Sequence, residues 1–178
     1  MLKKTLIILA VVVAALIIII AVQPSNYHVE RSTTIAAPPA VVFNQVNNFH
    51  NWHAWSPWAK LDPTMKETFA GAPAGAGAIY SWSGNNKVGE GRMLIVESHP
   101  DQLVNIKLDF IKPLASTSIA EFTFKPQGNV TEVTWNMDGQ KNFLTKAFSL
   151  LTSMDKLIGP DFEKGLAQLK AVSEGAAK

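Results

Sequence analysis

The stretch from Asn142 to Ser173 constrains this chain more than any other. At about 100° per residue, Leu144, Ala147, Phe148, Leu151, Met154, Ile158, Phe162, Gly165, Leu166, Leu169 and Val172 fall on one arc, while Lys146, Ser149, Lys156, Lys164 and Ala171 fall opposite. Such spacing predicts one long amphipathic helix, bent at Gly159-Pro160, that needs a broad apolar partner. The segments before it alternate with period two, so the partner is a sheet.

Tyr27–Ile35 is rich in β-branched residues and reads as the first strand. Ala37-Pro38-Pro39 opens a short helix, because proline is tolerated in a first helical turn. Asn51–Trp58 carries three tryptophans and ends at Ser56-Pro57. About six strands follow: Lys66–Phe69, Ala78–Ser83, Gly89–Glu97, Gln102–Ile111, Thr117–Phe124 and Val130–Met137. The clearest of these are apolar on one face only, which predicts an antiparallel sheet with one wet side. The fold class is therefore α+β.

Ahead of this domain, Thr5 to Val22 is an apolar run of eighteen residues without a charge. As a helix it spans about 27 Å, close to a hydrocarbon core of about 30 Å. It is longer than the apolar core of a signal peptide, and bulky Ile20 and Val22 stand where a cleavage site needs small residues. The expectation is an uncleaved signal anchor over residues 1–23 and a domain over 24–178. Lys3 and Lys4 precede the run and no charge follows until Glu30, so the N-terminus is expected in the cytoplasm and the domain beyond the membrane, periplasmic or otherwise extracytoplasmic.

Those two lysines also account for the whole formal charge of +2. The rest of the chain is balanced and has no basic stripe for nucleic acid. Cysteine is absent, which excludes disulfides, thiolate nucleophiles and cysteine metal sites. His50 and His53 are three apart with Asp62 beyond, but no third fixed ligand is evident, so no metal and no cofactor is expected. Gly75-Ala76-Gly77 and Gly89-Glu90-Gly91 do not lead from a strand into a helix, so they are not phosphate loops.

Three groups of residues carry a resemblance to a known family. One is Ile35-Ala36-Ala37-Pro38 with Val42-Phe43 and Trp52-x-x-Trp55-Ser56-Pro57-Trp58. The second is Tyr80-x-Trp82-x-Gly84-Asn85 with Val88-Gly89-Glu90-Gly91. The third is Val133-Thr134-Trp135 with Met154-Asp155-Lys156, Gly159-x-Asp161-Phe162-x-x-Gly165-Leu166 and Leu169-Lys170. Over roughly Tyr27 to Glu174 the chain resembles the START-like or SRPBCC superfamily, the birch-pollen-allergen fold, in its polyketide cyclase/dehydrase-like branch. The resemblance implies a helix-grip fold, in which a curved antiparallel sheet wraps a long C-terminal helix and leaves a cavity between them.

The expected lining is Tyr80, Trp82, Leu94, Ile106, Leu108, Phe110, Phe122, Phe124, Trp135, Met137, Phe148, Leu151, Met154 and Ile158. Periodicity alone has these residues filling a core; the resemblance has them surrounding a void for a hydrophobic small molecule or lipid. Asp155 falls inside the apolar arc, which predicts a partly desolvated carboxylate with a raised pKa, or one that holds the helix in register. Glu90 and Arg92 share a face with Leu94 and are expected at the cavity or its rim.

Three functions follow as expectations. The first is membrane-anchored binding of a lipid-like or aromatic molecule. The second is a cyclase or dehydratase without a metal, using Asp155 or Glu90 as base and Tyr80 as donor. The third is an interaction module with a filled core and an exposed Trp55/Trp58 patch.

Overall fold

Residues 2–177 are described in a computed structural model of the chain; Met1 and Lys178, the outer bounds of the two expected segments, lie outside the described residues. Helix α1 (Leu2–Ala21) is followed by β1 (Asn26–Ile35), α2 (Pro39–Asn47), a 3-10 turn (Phe49–Asn51) and α3 (Trp52–Trp55). Strands β2 (Lys66–Gly71), β3 (Ala78–Ser83), β4 (Glu90–His99), β5 (Leu103–Lys112), β6 (Ser116–Gln127) and β7 (Val130–Gln140) come next, then α4 (Phe143–Phe148) and α5 (Met154–Ala176).

The strands form a seven-stranded sheet in the order β1-β7-β6-β5-β4-β3-β2. Every pairing is antiparallel. Strands β2 to β7 run as successive hairpins, and β1 returns beside β7, so β1 and β2 are the two edges. This is the expected helix-grip α+β fold. The alternation that predicted it is plain on β7, where Thr131, Val133, Trp135 and Met137 are buried and their neighbours are not.

Helix α2 starts where the prolines predict, with Pro39 in its first turn and Val42, Phe43 and Val46 buried on one side. Its last carbonyls have no helical partner. Trp52 Nε1 donates to Val46 O at 2.8 Å and Trp55 Nε1 to Gln45 O at 3.1 Å, which ties α3 to α2 and buries both rings.

The single helix expected from Asn142 onward is two. Asn142 Oδ1 caps α4 by accepting from the Thr145 N–H at 2.9 Å, and Ser153 Oγ caps α5 by accepting from the Lys156 N–H at 3.2 Å. Asp155 in the first turn of α5 adds a carboxylate at the positive end of the helix dipole. The chain therefore breaks at 149–153, and not at Gly159-Pro160, which lies within the unbroken span of α5.

Helix α5 is clamped to β1 through Arg31. Its Nη1 donates to Asp155 Oδ1 at 2.7 Å, its Nη2 to Asp155 Oδ2 at 3.2 Å, and its Nε to Glu163 Oε1 at 2.7 Å. Asp155, Gly159 and Glu163 are spaced by four, so they stack on one face of the helix. A side chain at Gly159 would run into the guanidinium, so glycine leaves the passage Arg31 needs. Further along, Phe162 stacks on Trp135 with ring centroids 3.9 Å apart and planes 9° apart. Gly165 passes so close to the Trp135 ring and Pro57 that an added Cβ would stand 2.8 and 3.1 Å from them.

Helix α1 is apolar on all sides, with a mean hydropathy of 3.0, and only Ile20 is buried. It is long and apolar enough to cross a membrane or to act as a signal sequence.

Candidate functional site

Between the concave side of β2 to β5, the α3 segment and the first half of α5 lies a cavity of about 360 Å³. Its main wall is a ladder of aromatic rings crossing four strands. Phe69 on β2 meets Tyr80 on β3 at 5.3 Å, Tyr80 stacks along β3 on Trp82 at 5.9 Å, and Trp82 meets Phe110 on β5 at 6.2 Å. Trp82 reaches Phe110 across β4 because its partner there is Gly91; a side chain at Gly91 would occupy the space of the indole. The indole is then fixed by its Nε1, which donates to Val88 O at 2.9 Å. Met93, Leu108 and Met137 complete the sheet side, and Phe49, Trp52, Trp58, Ile158 and Phe162 close the other side.

Asp62 holds the turn between β3 and β4 against this wall. Its Oδ2 accepts from the Asn85 N–H at 2.7 Å, and its Oδ1 from the N–H and Oγ1 of Thr64 at 2.9 and 2.8 Å. These donors, the Thr64 hydroxyl foremost, lower its pKa and keep it ionised.

Few polar groups face the cavity. Tyr80 OH donates to Glu67 Oε1 at 2.7 Å. Burial, and then the hydrogen bond to Glu67, push the phenol well above its ordinary value of 10.0, so it stays protonated. His53 and Asp161 also line the cavity. Asn86, Lys87 and Lys112 stand at one end. Among the described residues no cluster of three His, Cys, Asp or Glu side chains could hold a metal ion.

Of the residues expected to line a cavity, Tyr80, Trp82, Leu108, Phe110, Met137 and Ile158 are on its wall. Ile106, Phe122, Phe124 and Trp135 point inward but are packed solid in the core, and Met154 packs against that core outside the wall. Leu94 is on the opposite face of β4, because Met93 is the residue paired with Tyr80 and directed inward. Glu90 and Arg92 share that outer face, where Glu90 pairs with Lys112 at 2.8 Å and Arg92 stands opposite Asp109. Phe148 and Leu151 are 59% and 86% exposed, because the break at 149–153 takes them off the helix that covers the sheet.

Asp155 is half-exposed at the Arg31 clamp, and that hydrogen-bonded partner lowers its pKa instead of raising it. It holds the helix in register, with an arginine as its partner. Trp55 is fully buried and Trp58 is half-buried against the core, so the expected exposed Trp55/Trp58 patch is not formed.

Glu67, His53, Asp161 and Met93 were not anticipated on the wall. A signal for Met93 was present: Arg92 and Glu90 alternate with it, and charges belong on the wet face. Glu67 and Phe69 share one face of β2, but nothing in so short a strand says which edge of the sheet it joins.

The model of a family described as polyketide cyclase / dehydrase and lipid transport matches residues 27–174. No curated protein matches the chain in sequence. Among solved structures, protein CV1439 from Chromobacterium violaceum is 15% identical with a TM-score of 0.60, over 85% of this chain and 99% of that one. Ara h 8.0201 is 11% identical with a TM-score of 0.56, over 85% and 97%. The di-domain ARO/CYC protein StfQ from the steffimycin biosynthetic pathway is 11% identical with a TM-score of 0.61, over 86% of this chain and 52% of that one. At these identities the likeness is one of fold.

Proposed function

Because the chain belongs to the polyketide cyclase / dehydrase and lipid transport family, we propose that it binds a hydrophobic or amphiphilic small molecule, lipid-like or aromatic, in the cavity beneath α5. The observation that carries this reading is the cavity of about 360 Å³ walled by the Phe69–Tyr80–Trp82–Phe110 ladder. A volume of that order suits a small ligand, and an apolar wall with a few polar groups orients one. In the same proposal residues 5–22 anchor the chain in a membrane, within a segment 1–23, and hold the domain of residues 24–178 beside the bilayer where such molecules partition. Lys3 and Lys4 favour a cytoplasmic N-terminus and an extracytoplasmic domain.

The test uses the full chain in nanodiscs. A brominated fatty acid should quench tryptophan emission saturably, because Trp52, Trp58 and Trp82 line the cavity. Leu108→Trp, which fills the cavity from β5, should abolish the saturable part and leave the far-ultraviolet spectrum unchanged. Absence of saturable quenching by fatty acid, isoprenoid alcohol and aromatic probes alike would overturn the proposal.

The Tyr80–Glu67 pair supports a second reading, a cyclase or dehydratase. Glu67 would accept a proton from carbon beside a carbonyl while Tyr80, held protonated, donates to the carbonyl oxygen. In that reading Glu67→Gln retains uptake of a poly-β-keto probe and loses its cyclisation. Undiminished cyclisation in the variant removes Glu67 from any such chemistry.

A further inference from the structure

The apolar side chains that α4 leaves uncovered stand at one particular end of the sheet. Strand register defines that end: Asn26 pairs with Gln140, Gly139 with Ser118, and Phe110 with Ser116. The start of β1, the end of β7 and the β5–β6 turn therefore lie together. Helix α1 ends at Ala21, five residues before Asn26, so it must leave from this end of the sheet. Two contacts tie α4 to that exit. The Lys141 N–H donates to Ser25 O at 2.6 Å, and Lys146 Nζ donates to Ala21 O at 3.2 Å.

Phe143, Leu144, Phe148 and Leu151 are each more than half exposed here, and Leu114 at the neighbouring β5–β6 turn is 45% exposed. So much uncovered apolar surface in one place marks a contact site. It is also continuous with the exposed apolar surface of α1. The cavity opens its lining toward the same end, since Val88, Gly89, Lys112 and Pro113 belong to the turns there.

We propose that α4 and residues 149–153 lie in the headgroup–acyl boundary of the bilayer that α1 spans, which fixes the domain with the cavity's 86–89 and 112–113 turns facing the lipid. The proposal rests on the anchoring part of the proposed function. The occupant of this surface is the bilayer itself, because the span and the patch are adjacent and share one apolar character. Short amphipathic segments settle with their apolar side about 5–10 Å into that boundary. Lys141 and Lys146, beside the patch, sit at headgroup level in this arrangement.

The chain has no cysteine, so each introduced one is a unique label site. The full chain is reconstituted in phosphatidylcholine vesicles whose acyl chains carry a nitroxide. An environment-sensitive fluorophore is placed in separate preparations at Leu9→Cys in α1, Leu151→Cys beside α4, and Val96→Cys on the outer face of β4. All three positions are exposed, so labelling leaves the fold intact. The expected result is a blue shift and loss of most emission at 9 and 151, with neither at 96. Quenching at 9 without quenching at 151 overturns the docking and leaves the anchor standing. No quenching at 9 overturns the anchor and the docking with it. Equal quenching at 96 and 151 overturns the preferred face.

Discussion

Trp135 on β7 and Trp82 on β3 point inward from one sheet, and their surroundings differ. Trp135 is covered: Phe162 of α5 stacks on it at 3.9 Å, and Phe122 lies 4.8 Å away. Trp82 rests on Tyr80 and Phe110 within the sheet and faces a cavity on its other side. The side chains on the two halves are of the same kinds, so chemistry does not account for the difference. Width does. Seven strands spaced by about 4.8 Å span roughly 29 Å. One helix covers about 10–12 Å of that. Arg31 ties α5 to the β1 edge, so α5 covers β1 and β7; α2 packs over β6 and part of β5, α3 covers part of the rest, and the remainder stays open.

If coverage is what separates the halves, truncations in them should cost unequally. Phe162→Ala removes the ring over Trp135 and should destabilise by about 3–5 kcal/mol, seen as a large drop in Tm. Phe110→Ala, on the hollow half, only enlarges existing space and should cost about 1 kcal/mol. Equal losses in thermal or urea unfolding would break the comparison. The smallest effect is expected at the clamp. Asp155→Asn leaves Arg31 bonded to Glu163 and lowers Tm by less than either truncation.

The clamp variant should also change the pH dependence. Asp155 has a folded pKa below its ordinary 3.8, so its contribution is complete above 3.8 and is lost as pH falls through the lowered value. The Tm difference between the native chain and Asp155→Asn should accordingly be constant near neutrality and shrink on acidification below 3.8. A difference that grows in acid would mean that the Arg31 bond is not what holds Asp155 ionised.

Much of this architecture was legible beforehand because backbone periodicity is local. Alternation and the turns between segments identify every strand, Ala78–Ser83 in full and the others to within one to three residues at each end, and Pro39 opens α2 as proline should. The failures have definite causes. Asn142 and Ser153 are both good N-caps and start separate helices, although the apolar arc continues across Ser149–Ser153 and by itself predicts one. Its apolar side chain predicts Leu94 inward, although Glu90 and Arg92 on the same face require that face to be wet. For Asp155 the register-holding alternative is the one the structure shows, and the low-dielectric alternative, which rests on helix angle alone, is not; its partner Arg31 lies 124 residues away in sequence.

The amino-acid order by itself determined which segments are strands, where α2 begins, that the sheet is antiparallel with one apolar side, and that an apolar helix precedes the domain. Those properties follow from spacing along the chain, and spacing needs no knowledge of what lies across the core. Only the tertiary structure decided which inward residues meet another side chain and which meet empty space. That depends on where a narrow helix is held on a wide sheet, and Arg31, Lys170 and the ring of Phe162 together hold it over the β1 edge.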